Sequence, residues 1–248
     1  MSRGRLWLLA HQDDEVLGLH LFSNSAVNHV IYLTDGVRAG AAYDSGKRVD
    51  EARVAWNEID KNAELIFFGT DRGLKDGALR EEISLVHLNE LIEICQNRDI
   101  NEIVTLQLEG GHQDHDIVSM LAEEISVRLS LDLFIFPAYR ALHKRYPIYA
   151  VMSPTYKLIE EKSSSLVSRL HFTNQAFRLM KNYRSQLSTW VGLGPFVILK
   201  YLIGNPNFIH QSSISKSAQD IPSKLLYANR QKVQPIDYEG FRKEISSW

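Results

Sequence analysis

Short apolar runs recur along the first 140 residues of the chain and alternate with longer segments of mixed polarity. The runs span residues 6–10, 30–34, 65–69, 103–106 and 133–137. Each has the length of a strand, and nearly continuous apolar character is typical of strands that are buried on both faces of a parallel sheet. The sequence therefore predicts five strands of one sheet.

Between these runs, apolar residues return at helical spacing. One set lies in the segment 85–95 and the second in the segment 118–129. Spacings of three and four residues predict helices with one apolar face. Strands that alternate with helices predict an α/β fold, which we expect to be Rossmann-like, with a mostly parallel sheet and helices on both faces.

The α/β rhythm stops in the last third of the chain. Residues 177–186 read as part of a helix, whereas residues 190–204 are apolar but contain glycines and a proline, and are fewer than the ~20 residues needed to span a bilayer. Three interpretations stay open for this run: a core or pocket-covering segment, a lip that contacts a membrane or a lipid-linked sugar, and an oligomer interface. We expect one domain, 1–248, with a core of about 5–155 and a helical or lid-like region of about 156–248.

Composition narrows the class of protein. The 248 residues suffice for one well-filled domain, and 23% charged with 44% hydrophobic residues is ordinary for a globular chain. A net charge of −2 without a basic block argues against a nucleic-acid partner. The lone Cys95 excludes an intramolecular disulfide. Because the first apolar run is too short for the core of a signal peptide, we expect a cytoplasmic location.

Two polar clusters follow the first and fourth predicted strands. One spans residues 11–15 (His-Gln-Asp-Asp-Glu) and the other residues 112–116 (His-Gln-Asp-His-Asp). Acidic residues also favour the first turn of any helix, so each cluster alone fits a polar helix start. Together, at the edge of the sheet where α/β proteins build their sites, they can supply three ligands to a zinc ion and leave a carboxylate as general base. The pair favours a metal hydrolase.

These clusters also carry a family resemblance. They are similar to the A-H-P-D-D-E and H-x-D-H motifs of the LmbE-like, or PIG-L, family of zinc-dependent N-acetylglucosamine deacetylases. Further family-like pieces follow in order at residues 34–36, 48–55 and 181–186, so the resemblance covers about 5–190 in scattered blocks. Gln12 and Gln113 depart from the pattern, since the family commonly has proline there. The exchange bears on the rigidity of the two loops rather than on the chemistry.

The resemblance implies a ligand set and a general base. His11, Asp14 and His115 correspond to the ligands of Zn²⁺ or of another divalent transition metal. Asp13 corresponds to the general base that takes the proton of the attacking water and delivers it to the departing amine.

The remaining predicted site residues assist catalysis or bind substrate. His112, if protonated, is expected to stabilise the oxyanion or to act as general acid, and Asp114 to orient an imidazole. The resemblance places Arg48 against the substrate, and Asp35 is expected to line the pocket after the second strand. We interpret Tyr139 as an ordinary loop residue.

The expected activity is removal of the acetyl group from an N-acetylated amino sugar or glycoconjugate by a zinc-dependent N-deacetylase. Alternatives are a zinc amidase that acts on a non-acetyl or non-sugar amide, and a non-catalytic sugar-binding homologue. A transferase-like domain with a magnesium-binding pair at Asp13 and Asp14 is disfavoured, because magnesium prefers oxygen ligands to histidines. Peripheral contact with a membrane or with a lipid-linked sugar, a position at the inner membrane face, and a homo-oligomer stay open.

Overall fold

Six strands form the main sheet of the computed structural model, which describes residues 4–24, 26–141, 149–153, 165–203, 208–211, 222, 225–227 and 235–248. The strands are β1 (Gly4–Leu9), β2 (Val27–Tyr32), β3 (Glu64–Ile66), β4 (Ile100–Leu106), β5 (Asp132–Phe136) and β8 (Ile209–Gln211), and their order is β3-β2-β1-β4-β5-β8. The first five are parallel, and β8 runs antiparallel to β5 at the edge. Two further strands, β6 (Tyr139–Ala141) and β7 (Tyr149–Val151), form a small antiparallel sheet.

Helices surround the main sheet, and the predicted α/β fold with a mostly parallel sheet is confirmed. The helices of the described residues are α1 (Glu15–Gly18), α2 (Ser45–Ile59), α3 (Phe68–Arg72), α4 (Leu79–Glu82), α5 (Leu85–Asn97), α6 (Gln113–Leu129), α7 (Leu166–Asn182), α8 (Leu187–Ile203) and α9 (Tyr238–Ser247). Both helices predicted from apolar spacing are present, as α5 and α6. The region after residue 156 contributes α7, α8 and α9, and it also contributes the edge strand β8 of the main sheet.

The third predicted strand is wrong at its carboxyl end. β3 stops at Ile66, and α3 begins at Phe68. Gly69, inside α3, lets this helix approach the chain that follows β2, because a side chain at this position would collide with the backbone of Thr34. A short apolar run is buried equally well in a strand or in a helical turn, so the pattern alone does not separate the two.

The apolar run 190–204 lies mostly within α8, a helix with Pro195 inside it. Its glycines and proline are signals that normally end helices, which is why the spacing did not predict one. Gly194 serves packing instead: its Cα lies against the sulfur of Met180 in α7. α7 and α8 therefore pack closely as an antiparallel pair, which we call the α7–α8 hairpin (residues 166–203).

The order of the strands decides where a site can form. β1 lies at the centre, with β2 on one side and β4 on the other. The chain thus leaves the carboxyl ends of β1 and β4 in opposite directions and opens a crevice between the two loops, which is where open α/β sheets bind ligands. The two polar clusters follow these two strands.

Candidate active site

The crevice between β1 and β4 brings the two polar clusters together. His11 follows β1 by two residues, and His115 lies in the first turn of α6, after β4. The Nδ1 atom of His11 lies 3.3 Å from Nε2 of His115, although 104 residues separate the two in sequence. Both side chains are buried.

Asp14 completes a three-residue donor set with these imidazoles. Its Oδ1 lies 3.1 Å from Nε2 of His115, and its Oδ2 lies 3.7 Å from Nδ1 of His11. Ligand atoms about 2.1 Å from a tetrahedral zinc are about 3.4 Å apart. Oδ2 of Asp14 accepts the backbone N–H groups of Ala10 and His11, so Oδ1 is the oxygen that is free to bind a metal. Two imidazoles and one carboxylate are the donor chemistry of a catalytic zinc site, and the distances of His11 Nδ1 and Asp14 Oδ1 from His115 Nε2 fit such an ion.

A buried carboxylate orients His11 in this set. Asp114 Oδ2 lies 3.1 Å from Nε2 of His11 and also accepts the backbone N–H of Gly77 at 2.6 Å. With Nε2 donating its hydrogen to Asp114, the lone pair of Nδ1 points towards His115 and Asp14. This is the carboxylate–histidine arrangement that fixes the tautomer of a metal ligand, and it is the geometry that the predicted role of Asp114 requires.

The charges around His11 favour a cation at this position. Burial lowers the pKa of His11, but Asp76, Asp114 and Asp14 outweigh burial and raise it well above its usual value. Burial likewise opposes ionisation of Asp14, yet His115 and His11 hold its pKa well below the usual range. The donor set is thus arranged to hold positive charge, as a divalent metal requires.

Asp13 lies beside the donor set but is not part of it. Its backbone has a φ of 130°, which is strained for a residue with a side chain and is seen where function fixes a conformation. Arg48 Nη2 donates to Asp13 Oδ1 at 2.9 Å and also to the carbonyl of Gln12. Burial raises the pKa of Asp13 to about 6, even though Arg48 lowers it. Asp13 also lines the cavity that opens above the donor set.

Arg48 borders the cavity, but its guanidinium already donates hydrogen bonds to other groups of the protein. Besides Asp13 and Gln12, it donates to Ser185 Oγ at 3.1 Å, and it lies 3.5 Å from Glu51 Oε2. Its exposed fraction is only 1%. The structure therefore places Arg48 where it positions Asp13, and contact with substrate stays a prediction.

Asp35 is not brought to the cavity. Its carboxylate accepts from Lys75 Nζ at 2.8 Å and from the backbone N–H groups of Val37 and Asp76 at 3.0 and 3.2 Å. These contacts tie the end of β2 to the segment that carries Asp76. The geometry supports a structural position for Asp35 rather than the predicted place in the pocket.

His112 caps α6 with its imidazole. Nδ1 accepts the backbone N–H of Asp114 at 3.2 Å, so the hydrogen of the neutral ring lies on Nε2. Burial and the neighbouring His11 lower the pKa of His112 to about 4. In this state the ring is a neutral donor, and the role predicted for a protonated His112 stays a prediction. One ring nitrogen from each of His11, His112 and His115 lies within 4.8 Å of the others, which makes His112 the alternative third ligand to Asp14.

Sequence reasoning missed Asp76 and misread Tyr139. Asp76 Oδ1 lies 3.3 Å from Nε2 of His11, on a segment whose Asp-Gly pair indicates only a turn. Tyr139 begins β6, and its ring centroid lies 5.6 Å from that of His115, so the loop interpretation is wrong. Gly111 permits this approach, because a side chain there would collide with the Tyr139 carbonyl oxygen.

A cavity of about 590 Å³ opens above these groups. Its floor is formed by His11, Asp13 and His112, and α8 closes one side with Trp190 and Leu193. The volume is that of a small-molecule site. Trp190 is only 7% exposed, and its Nε1–H has no hydrogen-bond partner in the part of the chain that the structure describes. The pocket-covering interpretation of the segment 190–204 therefore agrees with the position of α8.

Residues 6–126, which include both clusters, match the PIG-L family model, described as GlcNAc-PI de-N-acetylase. No curated protein matches the chain in sequence. This match supports an enzyme of the deacetylase type.

Among solved structures, the chain is similar to a deacetylase triple mutant of the teicoplanin biosynthetic pathway (TM-score 0.60, 16% identity, 87% of this chain and 100% of that chain covered). It is also similar to the pseudoaglycone deacetylase of the antimicrobial reagent A40926 (0.58, 15%, 87% and 100%). A conserved protein from Thermus thermophilus is similar too (0.56, 18%, 87% and 97%). At these identities the likeness shows a shared fold that extends well beyond residue 126.

Proposed function

We propose, from the match of residues 6–126 to the PIG-L family model, that the protein is a zinc-dependent N-deacetylase. The substrate that we propose is an N-acetylated amino sugar or a glycoconjugate that carries one. The observation that carries the proposal is the convergence of three side chains: Nδ1 of His11 and Oδ1 of Asp14 lie 3.3 and 3.1 Å from Nε2 of His115, with Asp13 beside them and outside the donor set.

Each group has a distinct task in this reaction. His11, Asp14 and His115 would hold a zinc ion, which when bound would supply Lewis-acid activation of water and of the acetamide carbonyl. Asp13 accepts the proton of the attacking water and passes it to the nitrogen as the C–N bond breaks, which gives acetate and a free amine. His112 Nε2–H donates to the carbonyl oxygen as negative charge develops there. Arg48 keeps the Asp13 carboxylate in place throughout.

The cavity supports a sugar amide as the substrate. Its walls are mixed, with the aromatic rings of Tyr139 and Trp190 beside carboxylates and imidazoles. An aromatic face covers the apolar side of a sugar ring, and the unpaired Trp190 N–H offers a donor to a substrate oxygen. The matched family is described as GlcNAc-PI de-N-acetylase, and one similar structure is a pseudoaglycone deacetylase; a glycoconjugate substrate is consistent with both.

Acetate release tests the proposal directly. The assay uses free, nucleotide-linked and lipid-linked N-acetylated amino sugars, with and without added zinc, and bound metal is measured in parallel. We expect zinc-dependent acetate from at least one substrate. The Asp13→Asn variant is expected to retain metal and to lose about 10²–10⁴-fold in rate, which is the usual contribution of a positioned general base.

Other outcomes identify the alternatives. If the protein binds metal but releases acetate from none of these substrates, the site would be assigned to the hydrolysis of a different amide. Protein that binds no zinc and releases no acetate would support the non-catalytic homologue. Loss of metal in Asp13→Asn would reassign Asp13 as a ligand.

A further inference from the structure

The α7–α8 hairpin carries most of the large apolar side chains that face solvent. Of fifteen such side chains in the described residues, ten lie in this hairpin. They are Leu166, Val167, Leu170, Phe177, Leu187, Val191, Phe196, Leu199, Leu202 and Ile203. An exposed apolar concentration of this kind marks an interaction surface.

α8 is apolar on both of its faces. Trp190, Val197 and Tyr201 are buried against the rest of the protein, whereas Val191 and Phe196, on the other side, are 78% and 57% exposed. Helices that are apolar all round are normally enclosed by protein or by lipid. Within α8, however, only Trp190, Gly194, Val197 and Tyr201 are buried. The exposed face of α8 therefore lacks a cover within the described structure.

By length and composition, the stretch Arg184–Ile203 is also apolar enough to cross a membrane. The buried face argues against a spanning position. The hydroxyl of Tyr201 donates to the Val16 carbonyl at 2.8 Å and accepts the Leu19 N–H at 3.2 Å, both close to α1. Crossing a bilayer would break these bonds and expose the packed residues of the body. α8 is therefore placed to lie along a surface.

The positive charge of the hairpin indicates which kind of surface it would bind. Residues 166–203 contain five Lys and Arg and no Asp or Glu, although the whole chain has a net charge of −2. The rest of the chain therefore carries −7 (23 Lys and Arg against 30 Asp and Glu). Apolar side chains combined with cations are typical of elements that bind the interface of anionic membranes. In a symmetric dimer through this surface, each hairpin would face the positive charge of the other copy, which disfavours that pairing.

We propose that the α7–α8 hairpin docks this protein on an anionic lipid surface. α8 connects this surface to the cavity, because Thr189, Trp190 and Leu193 on the same helix line the cavity wall. Docking would thus bring the mouth of the cavity close to amides carried by lipids. Binding to lipid does not depend on the proposed deacetylation; only the supply of a lipid-borne substrate rests on it.

Vesicle co-sedimentation tests the docking. We expect the full chain to bind vesicles of phosphatidylcholine mixed with phosphatidylglycerol, to bind pure phosphatidylcholine much less, and to dissociate as salt is raised. The double variant Val191→Ser/Phe196→Ser should bind at least tenfold more weakly, and Lys181→Gln about fivefold, the usual effect of one cation near a charged membrane. Val86→Ser, which removes an exposed valine of α5 (63% exposed), is the matched control and should bind as wild type does.

Folding and function are checked separately. The variants should keep the wild-type melting temperature and any acetate release from soluble substrates, and Asp13→Asn should bind vesicles normally even if the deacetylase proposal fails. Equal binding to both vesicle types, no binding to either, or equal losses in Val86→Ser would overturn the proposal. So would a dimer in sedimentation velocity that Val191→Ser/Phe196→Ser dissociates, since that result would make the hairpin an interface between copies.

Discussion

The hydrogen bonds of Arg48 go to protein groups, which favours a positioning role over direct contact with substrate. Arg48 donates to Asp13, Gln12 and Ser185 from a site that is almost fully buried. A lysine offers a single point of charge and cannot hold all three groups. We therefore expect Arg48→Lys to lower kcat at least tenfold, with little change in KM and unchanged zinc content, because Asp13, the proposed general base, loses its position. A higher KM with normal kcat would instead make Arg48 a substrate-binding residue, as the family resemblance implies.

Glu109 provides a test of pH dependence at a residue outside the proposed metal-ligand set. Its Oε1 accepts the Ala138 N–H at 2.7 Å, while its buried Oε2 has no hydrogen-bond partner among the described residues. Burial raises the pKa of Glu109 from 4.5 to about 8. A carboxyl whose pKa is higher in the folded state binds more protons when folded, so its contribution to stability falls as the pH rises between these two values.

We expect Glu109→Gln to escape this loss, because the neutral amide keeps an acceptor for Ala138. The melting temperature of the variant, measured relative to wild type in the presence of a chelator, should rise by several degrees from pH 5.5 to pH 8. Glu93→Gln, on the exposed side of α5, is the control and should follow wild type. A difference that does not change with pH would show that Glu109 is ionised throughout this range.

At the scale of elements, two glutamines provide the rigidity that the family's prolines would supply. Gln12 Nε2 donates to the Thr34 carbonyl at 3.3 Å, and Gln113 Nε2 donates to the Gly77 carbonyl. The second bond joins the start of α6 to the segment that carries Asp76. Where the family motif has a proline that stiffens the backbone, this chain therefore has a glutamine whose side chain holds the loop by a hydrogen bond.

Gln113→Ala should release this segment. A buried hydrogen bond contributes about 1 kcal/mol, which corresponds to a fall of ~2–4 °C in melting temperature for a chain of this size. Backbone amide exchange should become faster at residues 75–78. Gln113→Pro, which suits the first helical position, should show the same local exchange because it too lacks the bond. Gln96→Ala on the exposed face of α5 should change neither measurement.

The elements differ in how far sequence could predict them. The five parallel strands could be predicted because each is a short apolar run between polar segments. The two polar clusters could be identified because the residues of each cluster are consecutive in the sequence. The sequence did not predict α8 as a helix, because Gly192, Gly194 and Pro195 are residues that favour turns. The helix forms there because packing against α7 outweighs these local preferences. Asp76 was missed for a different reason: its contact with His11 arises from tertiary structure, which no local pattern encodes.

The whole molecule joins distant parts of the chain at one point. His11 and Asp14 follow β1, His115 lies a hundred residues later in α6, and α8 closes the cavity from beyond the family match at 6–126. On the C-terminal side, the Tyr238 hydroxyl donates to Asp116 at 2.7 Å and ties α9 to the start of α6. A metal ion bound by these ligands would therefore crosslink segments that separate when the protein unfolds.

Zinc should accordingly stabilise the folded protein. At a free zinc concentration one hundred times the dissociation constant, the gain is about 2.7 kcal/mol, or a rise of ~5–10 °C in the melting temperature of the chelator-treated protein. Asp14→Asn should lose most of this shift, because it removes the only carboxylate from the donor set. His112→Gln should keep it if the imidazole acts on the substrate oxygen. The reverse pattern, with the shift lost in His112→Gln and kept in Asp14→Asn, would assign the zinc to the three histidines, whose ring nitrogens also lie within 4.8 Å of one another.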